Sequence, residues 1–217
     1  MMSEVADAQP IFLFGAGGHG RAVTEIVRRG GKYRIARVLD DDPQATAPDG
    51  SRVAGGRELL PDLARDGLRL GFVAIGNNAD RELVTMLAKA AGLSLATIVD
   101  PAAVTASDAR IGAGTVLMPM TFAGAGGSIG DGAIINTSTT VDHDCVVGDY
   151  AHLSAGVHLT GGCRVGARSF VGIGAVLGRP VTLGERVIIG AGAAVITDVA
   201  DGVVAVGVPA RPMTQSP

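Results

Sequence analysis

An apolar residue recurs at every sixth position through most of the C-terminal half of the chain. The series starts at Ile111 and ends at Val195, and every member is Leu, Ile or Val except Ala123. A small or thin side chain follows each member four positions later. A period of six is typical of the hexapeptide repeats that build a parallel β-helix, in which each repeat adds one short strand to a prism. We therefore predict a parallel β-helix over residues 100–200, with both series of side chains facing its interior.

Three strands in each coil make the coil 18 residues long, so residues 18 apart are expected to stack at about the 4.8 Å spacing of neighbouring strands. Cys145 and Cys163 are separated by this distance and occupy the small inward position. We predict two buried free thiols there, instead of a disulfide or a metal site. Glycine commonly follows the apolar residue, as at Gly130 and Gly148. We expect it at bends between faces, because glycine adopts positive φ without steric cost.

Residues 11–99 alternate strand-like and helix-like patterns, which predicts a small parallel sheet covered by helices, one half of a Rossmann fold. The last of these helices is expected to begin at Asn78 as its N-cap. We predict that a flexible N-terminus, residues 1–10, precedes this unit. The β-helix follows it, and a C-terminal tail, residues 201–217, closes the chain.

The turn after the first predicted strand reads GAGGHG, from Gly15 to Gly20, and fits the G-x-G-x-x-G pattern that binds diphosphates. Asp40 ends the second predicted strand, where a carboxylate accepts a hydrogen bond from a ribose or a base. His19 is expected to lie beside the phosphates or the sugar, the alternative being an exposed loop histidine. One half of a dinucleotide fold, followed by a β-helix, suits a diphosphate with one nucleoside and a sugar better than it suits NAD.

Three histidines lie within the repeat, His143, His152 and His158, and their spacing from the apolar residues predicts that all three point outward, His143 on a flat face. Outward imidazoles bind zinc where three nitrogens converge at about 2.0–2.1 Å from one ion. These three are expected on different faces or coils, so the zinc alternative requires a partner subunit. We predict no metal site.

A general base is the role predicted for His143, because Asp144 is adjacent and a neighbouring acid orients an imidazole and stabilises its charged form. The 18-residue rule places Gly161 over His143, and its unhindered backbone N–H suits a developing oxyanion. His143, Asp144 and Gly161 are therefore the predicted catalytic residues. The alternative is an ordinary surface histidine on a face of the repeat.

The amino-acid composition of the chain limits the kinds of partner that are expected. The chain has 217 residues and a formal net charge of −3, and its Lys and Arg residues are scattered, so nucleic acid is not an expected partner. No apolar run approaches the roughly 20 residues that span a bilayer, and the N-terminus lacks the pattern of a signal peptide. We predict a cytoplasmic protein without membrane insertion.

The loop GAGGHG, the segment VDHDCVVGDYAH and the closing GVPAR together resemble the sialic acid O-acetyltransferase type of bacterial sugar O- and N-acyltransferases. The similarity is greatest to acetyltransferases of nucleotide-linked 4-amino-4,6-dideoxy sugars, including UDP-bacillosamine precursors and GDP-perosamine, and it covers residues 11–213. The resemblance implies a left-handed β-helix and a homotrimer. It also implies that acetyl-CoA lies between neighbouring subunits and that the N-terminal domain holds the nucleotide.

The resemblance also assigns residues. It implies His143 as the catalytic base with Asp144 as its partner, and His152 as a second active-site histidine. The residues predicted to bind the nucleotide-linked sugar are Gly15, Gly17, Gly18, His19, Gly20, Arg21, Asp40, Asp41 and Asn136. The residues predicted to bind acetyl-CoA are His152, Gly161, Gly174 and Arg211. Arg211 stands where the family often has Lys, which keeps a positive charge for a CoA phosphate but changes its geometry.

The predicted reaction is direct attack of the sugar's C4 amine on acetyl-CoA, without a covalent intermediate. An alternative acceptor is a sugar hydroxyl, as on sialic acid. A different class of function also remains open, in which the N-terminal domain is a non-catalytic, dinucleotide-binding regulatory module. An amine is favoured because a nucleotide-binding loop is useful only if the acceptor carries a nucleotide.

Overall fold

The chain divides into two compact units, Met1–Pro101 and Ala102–Pro217. The first unit consists of alternating strands and helices. The computed structural model describes residues 8–178 and 180–213. Most of the predicted flexible N-terminus, residues 1–7, lies outside the described residues, and the first strand already begins at Gln9.

The described residues of the first unit, from residue 8 onward, form nine elements. They are β1 Gln9–Phe14, α1 Gly18–Gly30, β2 Tyr33–Leu39, a 3-10 turn Arg57–Leu59, α2 Leu60–Arg65, β3 Leu70–Val73, α3 Asn78–Ala90, β4 Ser94–Leu95 and β5 Ile98–Val99. The sheet order is β2-β1-β3-β4 and all its pairs are parallel. Phe12, Phe14 and Leu39 fill the core between this sheet and its helices. The carboxyl ends of β1, β2 and β3 therefore meet at one edge of the sheet.

Helix α3 is capped by Asn77, and not by Asn78 as predicted. The Asn77 side chain accepts hydrogen bonds from the N–H groups of Ala79 at 2.9 Å and Asp80 at 3.1 Å, while Asn78 is already helical. Two consecutive asparagines offer the same capping chemistry, so the sequence pattern alone did not separate them.

The second unit is a three-sided parallel β-solenoid whose strands form three faces. Face 1 contains β7 Arg110–Ile111, β10 Ser128–Ile129, β13 Val146–Val147, β16 Arg164–Val165 and β19 Thr182–Leu183. Face 2 contains β6 Val104–Thr105, β9 Phe122–Ala123, β12 Thr140–Val141, β15 His158–Leu159, β18 Val176–Leu177 and β21 Ala194–Val195. Face 3 contains β8 Val116–Leu117, β11 Ile134–Ile135, β14 His152–Leu153, β17 Phe170–Val171, β20 Ile188–Ile189, β22 Val204–Val206 and β23 Arg211–Pro212.

Strands on one face pair at the predicted register of 18 residues. Ile129 pairs with Val147, and Val147 pairs with Val165. In the strands from β7 to β21 the second residue is apolar and faces inward, and most of these residues are fully buried, as is Leu153 at 0% exposure. The small residues four positions later share this interior, which confirms both inward series.

Glycine occupies the position after the apolar residue for a different reason from the one predicted. Gly148 does not adopt positive φ, but a Cβ there would lie 2.5 Å from the backbone N of Ala167 in the next coil. The positive φ values occur two residues further on, where residues such as Asp144 and Tyr150 also adopt them. Glycine at this position therefore permits close stacking of coils.

We expect Gly148→Ala to lower the free energy of unfolding by about 1–3 kcal/mol, because the added methyl group must push two coils apart. The matched control is Gly178→Ala, since a Cβ at Gly178 has no heavy atom within 4 Å. Thermal unfolding followed by circular dichroism compares the two variants. Equal melting temperatures for both variants would contradict the stacking argument.

The solenoid continues into the segment predicted as a C-terminal tail. Strand β22 pairs parallel with β20, and β23 returns antiparallel against β22, so face 3 extends as far as Pro212. The six-residue spacing breaks after Val195, which is why the periodicity did not extend the domain this far. Residues 214–217 lie outside the described part.

Both cysteines are free and buried, as predicted. The Cys145 thiol donates to the Thr160 carbonyl at 3.2 Å, and burial raises the pKa of this thiol to about 11. At neutral pH this thiol is almost entirely protonated, which disfavours acyl transfer to it, because the thiolate is the nucleophilic form. In the described ranges, no helix is both long enough and apolar enough to cross a membrane.

Candidate active site

His143 lies on a corner of the solenoid, in the turn between β12 and β13, and not on a flat face as predicted. Strand β12 is only two residues long, so the second residue after Val141 has already left face 2. Asp144 follows in the left-handed region at φ 58, a conformation that Asp tolerates better than most residues, and its N–H donates to the Ala125 carbonyl at 2.9 Å. We refer to His143, Asp144 and Gly161 as the His143 corner.

The imidazole of His143 is oriented by its neighbours. Its Nδ1 lies 2.9 Å from Asp144 Oδ2, and its backbone N–H donates to Asp142 Oδ1 at 2.7 Å. An ionised carboxylate only accepts hydrogen bonds, so Nδ1 carries the proton and Nε2 is left as the basic nitrogen. The hydrogen bond to Asp144, with the charge of Asp142 in support, raises the pKa of His143. The side chain is 63% exposed, which leaves Nε2 open to a substrate.

Gly161 lies against the imidazole in the next coil, as the 18-residue rule predicts. A Cβ on Gly161 would lie 2.3 Å from both Cε1 and Nε2 of His143. The Gly162 N–H donates to the His143 carbonyl at 2.9 Å and fixes the spacing of these two turns. Within residues 8–178 and 180–213, no acceptor takes the Gly161 N–H. The corner therefore holds a basic nitrogen and a backbone donor in adjacent turns.

Asn136 and His152 form a second group on face 3. The Asn136 Nδ2 lies 3.5 Å from His152 Nε2, and the Asn136 Oδ1 accepts the Thr137 N–H at 2.8 Å. The Phe170 ring meets the His152 ring edge-on, with centroids 5.2 Å apart and planes at 83°. This pair is thus held in place, but within one chain it lies on a different side of the prism from the His143 corner.

The remaining predicted solenoid residues are dispersed. Gly174 lies at the corner between faces 3 and 2 with φ +68, and Arg211 in β23 donates to the Ala210 carbonyl at 2.8 Å. His158 stands on face 2, where its Nδ1 lies 2.9 Å from Thr140 Oγ1. In the part of the chain that the structure describes, no cluster of three or more His, Cys, Asp or Glu side chains is placed to hold a metal ion.

In the first unit, a cavity of about 430 Å³ lies at the carboxyl edge of the sheet. The predicted residues that line it are Gly15, Gly17, Gly18, His19, Asp40 and Asp41. Gly20 and Arg21 are not among its lining residues. Arg57, Gly76 and Asp80 also line it and were not predicted, because no local motif marks them. We refer to this space as the edge cavity.

The glycines of the loop have two distinct roles. A Cβ on Gly20 would lie 2.0 Å from the Gly15 carbonyl oxygen, and one on Gly15 would lie 2.6 Å from the Ala74 carbonyl oxygen at a φ of +108. These two glycines allow the backbone to close up. Gly17 has no heavy atom within 4 Å of its Cβ position, and it caps the 13-residue helix α1 without a side-chain hydrogen bond. The open side of the loop thus presents backbone N–H groups at a helix N-terminus, which suits a phosphate.

Asp40 holds this loop in place. Its Oδ2 accepts the Ala16 N–H at 2.8 Å and its Oδ1 accepts the Asp42 N–H at 3.0 Å. The predicted contact of Asp40 with a ribose or base stays a prediction, and the structure adds a positioning contact with the loop.

The solenoid of six-residue repeats, preceded by an α/β unit with a glycine loop, is the architecture of a hexapeptide acyltransferase with an added Rossmann-like unit. Two family models match the chain, the PglD N-terminal domain over residues 10–88 and the bacterial transferase hexapeptide (six repeats) over residues 162–197. A curated relative is UDP-N-acetylbacillosamine N-acetyltransferase of Bacillus subtilis (strain 168), 35% identical over 113 residues. The match covers 47% of this chain and 48% of that protein, about half the length of the relative.

Solved structures match over nearly the whole chain. A histidine-to-asparagine mutant of perosamine N-acetyltransferase from Caulobacter crescentus, in complex with CoA and GDP-perosamine, is 38% identical with a TM-score of 0.91, covering 97% of this chain and 99% of that one. The acetyltransferase domain of PglB from Neisseria gonorrhoeae FA1090, in complex with acetyl coenzyme A, is 37% identical with a TM-score of 0.87, covering 95% and 100%. The chain belongs to this family of amino-sugar N-acetyltransferases, and the predicted half-Rossmann unit and left-handed β-helix are confirmed.

Proposed function

We propose that the protein transfers the acetyl group of acetyl-CoA to the C4 amine of a nucleotide-linked 4-amino-4,6-dideoxy sugar, with His143 as the general base. The observation that carries the proposal is the His143 corner, where Asp144 binds Nδ1 and leaves Nε2 free beside an unhindered backbone donor. The relatives in complex with CoA and GDP-perosamine support the choice of donor and acceptor. The edge cavity, with its glycine loop, is the proposed site for the nucleotide diphosphate.

The chain's own residues account for each step. His143 Nε2 accepts the proton that the amine nitrogen loses as it forms its bond to the thioester carbon. The Gly161 N–H binds the carbonyl oxygen as that oxygen becomes negative. The carbon–sulfur bond then breaks and the thiolate leaves, and the imidazolium is the proton source that restores the thiol. Asp144 stabilises the imidazolium between these two proton transfers.

We propose a homotrimer, because one chain keeps the His143 corner apart from Asn136 and His152. If a neighbouring copy places its face 3 against the corner, the two groups complete one site.

Sedimentation equilibrium should then give three times the chain mass. Mixed trimers of the inactive variants His143→Ala and His152→Ala should regain activity, because some sites then combine one intact group from each chain.

The direct test is thiol release from acetyl-CoA with GDP- and UDP-linked 4-amino-4,6-dideoxy sugars, beside free sialic acid. Turnover with a nucleotide-linked amine is the expected result. Turnover with sialic acid alone would assign the reaction to a hydroxyl. No turnover with any acceptor, together with saturable NAD binding, would favour a regulatory module.

The pH dependence of kcat/KM should report the ionisation of His143. Catalysis needs the neutral imidazole, so kcat/KM should fall as pH drops through the His143 pKa, which Asp144 raises. Asp144→Asn removes the negative charge, and Asn tolerates the left-handed backbone at this position, so the acid limb should move to lower pH. Steady-state rates from pH 5 to 9 measure the shift. An acid limb that stays in place in Asp144→Asn would remove Asp144 from the proposed role.

A further inference from the structure

The edge cavity contains one ion pair that none of the preceding steps uses. Arg57 Nε donates to Asp41 Oδ2 at 2.9 Å, Arg57 Nη2 donates to the same oxygen, and the Arg57 backbone N–H donates to Asp41 Oδ1 at 3.0 Å. Both side chains are partly exposed, 42% for Arg57 and 38% for Asp41, and both line the cavity. Arg57 is therefore placed to meet a ligand while it stays bound to Asp41.

Backbone hydrogen bonds hold the segment before Arg57 close to Asp41. The Ala54 N–H donates to the Val38 carbonyl at 2.9 Å and the Asp40 N–H donates to the Gly55 carbonyl at 2.9 Å, which docks residues 54 and 55 beside the end of β2. A Cβ on Gly56 would lie 2.7 Å from Glu58 Oε2 and 2.9 Å from Asp41 Oδ1, so a larger residue would displace these two carboxylates. The contact with Asp41 thus orients the guanidinium in the absence of a ligand.

The orientation leaves one edge of the guanidinium free. Arg carries five N–H donors in a planar fork. Asp41 takes the Nε and the outer Nη2 donors, which form one side of that plane. The end-on pair, one N–H on Nη1 and one on Nη2, has no acceptor within the described ranges. Arg57, which lines the cavity, therefore keeps two parallel donors without a protein acceptor among the described residues.

Two parallel donors fit a particular nucleobase. Guanine presents O6 and N7 as adjacent acceptors on one edge, and a bidentate Arg is the commonest specific contact with them. Uracil has no such pair, because an N–H separates its two carbonyl oxygens. The position of the fork also favours the base over the diphosphate. An acid that follows the second strand of this fold contacts the nucleoside, whereas the diphosphate lies at the glycine loop and helix N-terminus.

We infer that Arg57, held by Asp41, binds the O6 and N7 atoms of guanine and selects a GDP-linked acceptor over a UDP-linked one. The inference rests on the proposed nucleotide-sugar function and names the nucleotide within it. It assigns Arg57 a role in specificity that no sequence motif predicted.

Calorimetric titration of the intact protein with free GDP and UDP tests the selection. GDP should bind about 5-fold to 150-fold more tightly than UDP, which is the range for one bidentate base contact. Arg57→Lys keeps the charge but loses the fork, so it should bring GDP binding down to the UDP level and change UDP binding less than about twofold. Equal loss for both nucleotides would show that Arg57 binds the diphosphate, and would overturn the inference.

Two analogues locate the contact on the base. The 7-deaza analogue of GDP lacks the N7 acceptor and should bind about tenfold more weakly than GDP. Inosine diphosphate keeps O6 and N7 but lacks the 2-amino group, so it should bind like GDP. The reverse order would place the contact on the Watson–Crick edge and overturn the assignment to Arg57.

The outcomes separate this inference from the proposed function. Acetyl transfer to nucleotide-linked amines with UDP bound as tightly as GDP would overturn the inference and leave the function intact. Selective GDP binding without transfer to any linked amine would overturn the function and leave the base contact intact. Binding of neither nucleotide would overturn both.

Discussion

His143→Ala should lower kcat by about 10²-fold to 10⁴-fold, the usual contribution of a positioned general base. The affinity for the nucleotide should not change, because the edge cavity is formed by residues of the first unit alone. The free energy of unfolding should also stay close to that of the wild type, since the His143 side chain is 63% exposed. Single-turnover thiol release measures kcat, and calorimetric titration with the nucleotide measures binding.

The matched control for this variant is His158→Ala. His158 is also an exposed histidine of the solenoid, but it stands on face 2 and contacts Thr140 instead of a carboxylate. We expect its kcat to stay within about twofold of wild type, because it has no place in the His143 corner. Wild-type turnover in His143→Ala, or an equal loss in both variants, would remove His143 from the role of base.

Gly161→Ala should lower kcat nearly as much as His143→Ala does. The new methyl group would lie 2.3 Å from Cε1 and Nε2 of His143, far inside van der Waals contact. The imidazole or the turn that carries Gly161 must therefore move, and a displacement of about 1 Å in a catalytic group costs on the order of 100-fold in rate. The KM for the nucleotide-linked sugar should change much less than kcat. Steady-state kinetics separates the two parameters.

Gly178→Ala is the control, because it adds the same methyl group to the same solenoid without a heavy atom within 4 Å. Its kinetics should match wild type. Chemical rescue gives a second readout, since small imidazoles added in solution should restore part of the activity of His143→Ala but none of that of Gly161→Ala, where the site itself is filled. Full activity in Gly161→Ala would show that the reacting groups do not depend on this contact.

The sequence predicted the solenoid almost strand by strand. Each apolar residue from Ile111 to Val195 is the second residue of one observed strand, and this second residue is the one that faces the interior of the solenoid. The same register predicts the stacking of Gly161 over His143 from residue numbers alone. Periodicity carries this much information because every coil repeats the same backbone path.

The predictions that failed concern features without a period. The flat-face position of His143 was wrong because a two-residue strand leaves no room for a third face residue, which the six-residue spacing does not reveal. Arg57 was missed because its contact with Asp41 spans 16 residues of irregular chain. The division of the predicted site between the His143 corner and face 3 was predicted in part, because the register already placed the histidines on different faces or coils.

The 18-residue register limits how the length of this protein can change. Loss of one residue within a coil would turn every later apolar side chain from the interior to the surface, so a single deletion acts on the whole remainder of the solenoid. Insertion of one complete coil beyond Ile189 keeps all earlier pairs, including those that hold His143 against Gly161. Relatives of different length are therefore expected to differ by multiples of 18 residues or by loops at corners, while the spacing of 18 residues between His143 and Gly161 stays unchanged.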